Sequence, residues 1–197
     1  MPTLSPSAVP PDLTVITDAL DAVDQDVGTL VADLDDDQFN WQPEGRGWSI
    51  AQCLDHLTRT NGIYLDALRA GAARARTADL ARRGPIQPGF LSRLFIRAMG
   101  PTTRMRIPAP SPARPASHVR KEEVLPAFLR IQEDVRAFAQ ACADLDLNRA
   151  RFVNPFVKGV RFSVGTGLLV IAAHDRRHLG QAHRVREASA FPQQATA

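Results

Sequence analysis

Pro11-Asp-Leu-Thr-Val-Ile-Thr-Asp-Ala-Leu-Asp-Ala-Val-Asp-Gln-Asp-Val-Gly-Thr-Leu-Val-Ala-Asp-Leu34 carries apolar side chains at Leu13, Ile16, Leu20, Val23, Val27, Leu30 and Leu34. The steps alternate three and four without a break, with Asp18, Asp21, Asp24 and Asp26 between them. That period is the buried seam of a bundle helix. Pro11 and Asp12 suit its first turn. Asp35-Asp-Asp37 closes it, because acids at a helix C-terminus oppose the helix dipole. Three further segments repeat the pattern. The second helix begins at Ser49, an N-cap with Gln52 three residues on, and carries Ile50, Cys53, Leu57, Tyr64 and Leu68 on one side. The third runs from about Lys121 to Leu145, with Pro126 in its first turn or so, where proline is tolerated. The fourth spans roughly Val164 to Ala188. The expected fold is therefore all-α, a four-helix bundle within a single domain over residues 1–197.

Between the second and third helices lies a crossover at 78–118 that includes five prolines over 101–115 (Pro101, Pro108, Pro110, Pro112 and Pro115). Just ahead of them, Phe90, Leu91, Leu94, Phe95, Ala98 and Met99 predict a short amphipathic helix bounded by Gly89 and Gly100. A connection of about forty residues lets helices two and three run parallel rather than as a hairpin. No strand-period segment of convincing length is present, and Arg161-Phe-Ser-Val164 is too short to count. Residues up to about Pro10 and from about Ser189 read as loose termini.

Composition narrows the classes. The apolar share is 44% and the formal charge +3, which announces neither a membrane protein nor a nucleic-acid binder. Cys53 and Cys142 fall at apolar-periodic positions without CxxC spacing, so they read as buried free thiols in a reducing compartment. The N-terminus lacks the basic start and apolar core of a signal peptide, and no run approaches the roughly 20 apolar residues of a membrane span. A cytoplasmic location is expected.

The chemistry sits in Leu168-Leu-Val-Ile-Ala-Ala-His-Asp-Arg-Arg-His-Leu-Gly-Gln181. His174 and His178 are one helical turn apart, and at about 100° per residue both fall within the stripe of Leu168, Ile171, Ala172, Leu179, Ala182 and Val185. On the second helix His56 also leans inward. A buried imidazole without a partner costs about 1–3 kcal/mol. Two readings answer that cost. A transition metal can satisfy all three rings at once, or each ring can bond a carbonyl or carboxylate, with Asp55 and Asp175 nearby. His183, on the opposite side of the helix, is expected to face solvent or a partner, and His118 has no helical neighbour to pair with. Both stay outside the site.

Phe39-Asn-Trp-Gln-Pro-Glu-Gly-Arg-Gly-Trp-Ser-Ile50 with His56-Leu57 resembles the entry to the second helix of the DinB-like (damage-inducible) superfamily. Asn154-Pro155, Gly159, Thr166-Gly-Leu-Leu169 and His174-x-x-x-His178-Leu-x-x-Gln181 are similar to its last helix and the approach to it. The resemblance implies a four-helix bundle, commonly a homodimer, with His56, His174 and His178 holding a divalent ion such as zinc or nickel. The superfamily's thiol S-transferases and maleylpyruvate isomerases use low-molecular-weight thiols, and other members are classed as metal-dependent hydrolases. The crossover at 78–118 is longer and richer in proline than that pattern.

Three neutral imidazoles leave a divalent ion an open position, the arrangement of catalytic rather than structural zinc. Such an ion activates water or a thiol against a small electrophilic substrate. Gln181 and Arg177 are candidate supporting residues, the first bonding the site or a ligand, the second meeting an anionic substrate. Asp55 and Asp175 either orient imidazoles or point outward. Trp41 and Trp48 read as packing at the entrance to the second helix, and Cys53 as core. The alternative is a non-catalytic binding module. Nine arginines and a single acid, Asp79, lie between Arg69 and Arg106, a segment suited to an anionic partner. With few interleaved aromatics and no DNA-reading motif, a nucleic-acid or membrane partner is not expected.

Overall fold

A computed structural model describes residues 9–43, 47–102 and 108–193. The chain forms α1 (Pro11–Val31), a short α2 (Asp36–Asn40), α3 (Ile50–Thr77), α4 (Phe90–Met99), α5 (Lys121–Ala141), strands β1 (Arg151–Val153) and β2 (Arg161–Ser163), and α6 (Val164–Arg186). The bundle consists of α1, α3, α5 and α6, and the fold is all-α apart from one small hairpin. The acidic run that ends α1 also starts α2. Asp35 Oδ1 accepts the Gln38 N–H at 2.8 Å while Gln38 Oε1 accepts the Asp35 N–H at 3.2 Å. Ser49 and Gln52 close the same reciprocal box on α3.

Cross-links between helices fix the topology. Gln52 donates to the Ala116 carbonyl just ahead of α5 (3.1 Å), and Arg76 donates to the Ala141 carbonyl at its end. α3 and α5 are therefore parallel, as the long crossover predicts. Arg186 reaches the Leu30 carbonyl and Asp33 near the end of α1, so α1 and α6 are parallel as well. α6 runs antiparallel to α3: Gly167 packs on Leu68 at one end and His178 meets His56 at the other.

Four sequence expectations need correction. α5 ends at Ala141 rather than Leu145, and Leu145 instead bridges to Ala81 of the crossover. Pro126 is the sixth residue of α5, beyond the first turn, on an exposed face where water can take up the carbonyl its ring leaves unbonded. Arg161-Phe-Ser does form a strand. Phe152 and Phe162 sit opposite one another in register, and both are buried, so two aromatic anchors suffice to hold so short a pair. The expected loose C-terminal stretch also contains a packed residue, since Phe191 lies edge-on to Trp41 at 5.5 Å. Residues 1–8, 194–197 and 103–107, which take in much of both expected loose ends and part of the proline-rich crossover, lie outside the described residues.

The core divides into two apolar clusters. One gathers the first half of α1, the second half of α3, the hairpin and the start of α6. The other gathers the far half of α1, the start of α3 and the end of α6. Polar side chains occupy the level between them: Asn61, Gln132 and Asp175 are buried there, and Asn61 donates to Asp175 Oδ1 at 2.9 Å. The three inward histidines lie at this level.

Candidate metal centre

His56 comes from the second turn of α3, and His174 and His178 from successive turns of α6. Their rings form a triangle, with centroids 5.2 Å (56–174), 4.7 Å (56–178) and 4.5 Å (174–178) apart. One nitrogen from each lies within 4.8 Å of the others, so the three could hold a metal ion.

The ring tautomers follow from their other bonds. His56 Nδ1–H donates to the Ala113 carbonyl at 2.6 Å, and His178 Nδ1–H donates to Gln181 Oε1 at 3.2 Å. Both rings therefore keep a bare Nε2, and a carbonyl on the far nitrogen is the support that metal-bound histidines ordinarily have. His174 Nε2 lies 3.1 Å from His178 Nε2. Two nitrogens each about 2.0–2.1 Å from one ion stand at about that spacing. His174 Nδ1 is buried without a hydrogen-bond partner among the described residues. A carbonyl or carboxylate for each ring, the other reading open from sequence, accounts for His56 and His178 but not for His174. These donors fit a divalent ion.

The electrostatics agree with neutral rings. Burial lowers the pKa of all three, and the neighbouring imidazoles lower His174 and His178 further, His174 to about 3. His174 keeps some accessible surface because it faces a cavity, although protein surrounds the ring. That cavity has a volume of about 240 Å³. The rings and Arg177 line it together with apolar walls that include Phe95, Met99, Phe156 and Ile171, and Tyr64, Thr60 and Asn61 line it as well.

Gln181 stands where expected, against His178. Arg177 lines the cavity and donates to the Ala98 carbonyl at the end of α4 (2.9 Å). Neither Asp55 nor Asp175 bonds an imidazole directly, and neither points outward. Asp55 binds Arg59 and the Ala116 amide, and Asp175 is fully buried against Asn61, its carboxyl pushed up to about 7 chiefly by burial. Asp175 lies seven residues after Leu168, on the buried stripe, so its inward position was readable. His183 does not face open solvent: its Nε2 lies 2.9 Å from Asp26 of α1. His118 is exposed, and both cysteines are buried and free.

Sequence reasoning missed Trp48, Tyr64 and Ala113. Trp48 is not mere entrance packing, since its ring lies 4.6 Å from His56 and 5.5 Å from His178. Its sequence signal was its place one residue before the α3 N-cap, which brings it back over the first turns. Tyr64 lies two turns past His56 on the same helix face. Ala113 acts through a backbone carbonyl, and no side-chain pattern marks it.

Fold and site together define a helical bundle with an imidazole triad at the wall of a largely apolar cavity. The chain belongs to the DinB superfamily, whose family model matches residues 19–182. The superfamily is metal-binding, and the triad could hold a metal ion here. No curated protein and no solved structure matches the chain.

Proposed function

We propose that this protein is a metal-dependent enzyme that activates a low-molecular-weight thiol or water against a small electrophile, as an S-transferase or hydrolase. The observation that carries the reading is the set of three neutral imidazoles whose free nitrogens converge beside an apolar cavity. His56, His174 and His178 are the ligands in this reading, and zinc or nickel the ion. A divalent ion with an open position supplies a nucleophile that is deprotonated near neutral pH.

The remaining residues prepare the cavity. Ala113 and Gln181 fix the tautomers of His56 and His178. Phe95, Met99 and Phe156 exclude water and receive the apolar part of the substrate. Arg177 brings a positive charge to the wall for an anionic group on the substrate or thiol. Asn154 Nδ2–H donates to the Tyr64 hydroxyl at 2.8 Å, and burial raises the phenol pKa to about 12. Tyr64 thus keeps its proton and offers it to an acceptor at the far end of the substrate. The two buried free cysteines suit a reducing cytoplasm, and no helix among the described residues is long and apolar enough to cross a membrane. A homodimer is the assembly this reading carries.

Elemental mass spectrometry on protein purified without chelators tests the proposal, followed by turnover assays with thiol and hydrolysis substrates. Near-stoichiometric metal is expected in the parent and in His183→Ala, and none in His178→Ala. Equal loss from both variants overturns the ligand set. Metal without metal-dependent turnover overturns the enzyme.

A further inference from the structure

Three of the large apolar side chains exposed on this protein stand on one ten-residue helix. In α4, Phe90 is 72% exposed, Leu91 73% and Leu94 56%. The opposite side of α4 carries Phe95, Ile96 and Met99, which pack on the core. The helix is thus apolar on both faces, and only the inner one is used by the fold. At about 100° per residue, Arg93 and Arg97 fall on one flank of the exposed stripe.

A second exposed apolar patch adjoins it. Val153 and Val157 of the hairpin are 47% and 40% exposed. Val157 lines the same cavity as Phe95 and Met99, and Phe95 meets Phe162 of β2 at 4.8 Å. Lys158 and Arg161, both exposed, flank these valines. No acid occurs in residues 80–121 or 147–174, the segments that build this side.

The structure also divides the arginine-rich segment in a way the sequence did not reveal. Arg69 pairs with Asp66, Arg74 donates to the Arg151 carbonyl, Arg76 meets the end of α5, and Arg82 pairs with Asp12. These four cations have partners within the chain. Arg83 and Arg93 form no ion pair among the described residues. Arg104 and Arg106 lie outside the described residues.

We infer that the outer face of α4, together with the hairpin turn, is a peripheral docking surface for an anionic lipid bilayer. Cations without acids select an anionic partner. Exposed Phe and Leu side chains between and beside them need an apolar phase to enter, which a bilayer interface provides and a nucleic-acid backbone does not. A short helix lying in the interface with arginines at headgroup level satisfies both demands. Such docking sets the cavity about one helix diameter, roughly 10 Å, from the lipid. It departs from the sequence expectation of no membrane partner, and it does not depend on the metal.

Co-sedimentation of the full chain with vesicles of phosphatidylcholine alone, and of phosphatidylcholine with phosphatidylglycerol, tests the inference. Binding is expected only to the anionic vesicles and should weaken in high salt. Leu91→Ser with Leu94→Ser should lower the partition coefficient about tenfold, and Arg93→Ala about fivefold. Val15→Ser, at an exposed apolar site on α1, should leave it unchanged. Melting temperatures and light scattering accompany each variant, so that misfolding is not read as lost docking. Several results overturn the inference: no binding to anionic vesicles, equal binding to neutral ones, or equal loss from Val15→Ser. So does self-association that the leucine changes abolish while vesicles are ignored, which makes the occupant a second copy. Retention on heparin without vesicle binding overturns it as well.

Discussion

The same two helices meet twice, on different terms. Where the second half of α3 faces the start of α6, the contact is glycine against side chain. A Cβ on Gly167 would stand 2.5 Å from Leu68 Cδ2 and 2.9 Å from the Phe152 ring, and one on Gly71 would stand 2.9 Å from the Arg151 carbonyl. Where the start of α3 faces the second half of α6, imidazoles replace glycines and a cavity opens beside them. One end is packed to the limit of steric contact. The other, at the level between the two apolar clusters, keeps buried polar atoms without a hydrogen-bond partner among the described residues, among them His174 Nδ1, Asn61 Oδ1 and Asp175 Oδ2. A bundle with one closed end tolerates polar groups at the other, and polar groups that stability does not require point to function.

Filling the same volume at the two ends should therefore have opposite signs. Gly167→Leu forces side-chain atoms into Leu68 and Phe152 and should destabilise by about 3 kcal/mol in chemical denaturation. A loss below about 0.5 kcal/mol would mean the packed end yields, and the contrast fails. His174→Leu places an apolar side chain of similar size where a ring nitrogen lacks a partner. In the metal-free protein it should gain about 1–3 kcal/mol while abolishing metal uptake. A destabilised His174→Leu would show that the imidazole is structural.

Acid sharpens the same contrast. Burial holds the three imidazole pKa values below that of the free side chain. Below pH about 6.5 the unfolded chain therefore takes up protons that the folded chain refuses. The imidazole contribution to metal-free stability should be full above that pH and fall as pH drops towards about 3, the value to which His174 is pushed, while Asp175, pushed up to about 7, acts in the opposite direction over the same range. Each unit of displacement is worth about 1.4 kcal/mol. Between pH 7 and 4 the denaturation midpoint of the parent should fall relative to that of His174→Leu, in which the Asp175 contribution is shared and cancels. Parallel curves would assign the acid loss elsewhere.

What the sequence disclosed follows from which interactions are periodic. The seams of α1, α3, α5 and α6 recur every three or four residues, and Asp175 shares the phase of Leu168 while His174 and His178 fall beside Val185 at the edge of that stripe, so an angle per residue turns them inward. His56 was placed on the same logic, one residue before Leu57. Contacts without a period were hidden. The Ala113 carbonyl reaches His56 from a proline-rich strap 57 residues away in sequence, and Trp48 precedes its helix, outside any helical phase. The hairpin was too short for its alternation to register and exists because Phe152 and Phe162 both find the core. The arginine run from Arg69 looked like one surface. Folding assigned four of its members to carbonyls and acids, which composition cannot foresee.

Smaller effects separate direct from indirect support of the triad. Gln181 is half-exposed and hydrogen-bonds His178, so Gln181→Ala should lower zinc affinity about tenfold with the melting temperature of the metal-free protein unchanged. Unaltered affinity would remove Gln181 from the site.

Asp55 acts one bond further out and should show the least. Its Oδ2 accepts the Ala116 amide at 2.8 Å, which ties the strap to α3 three residues beyond the carbonyl that holds His56. The same carboxylate takes Arg59 at 2.9 Å, but that arginine is largely exposed, and such a pair is worth little. Asp55→Ala should therefore free the strap. Hydrogen exchange should quicken at the Ala113 amide, which bonds the Pro110 carbonyl at 2.9 Å, and zinc affinity should fall by less than the roughly tenfold expected for a direct partner. Arg59→Ala should change neither quantity. If affinity falls while the Ala113 amide exchanges as before, the carboxylate acts through its charge on the neighbouring His56 rather than by holding the strap. A loss from Arg59→Ala as large as that from Asp55→Ala would place the support in the ion pair, and the strap would then be a cover over the cavity with no part in aiming the ring.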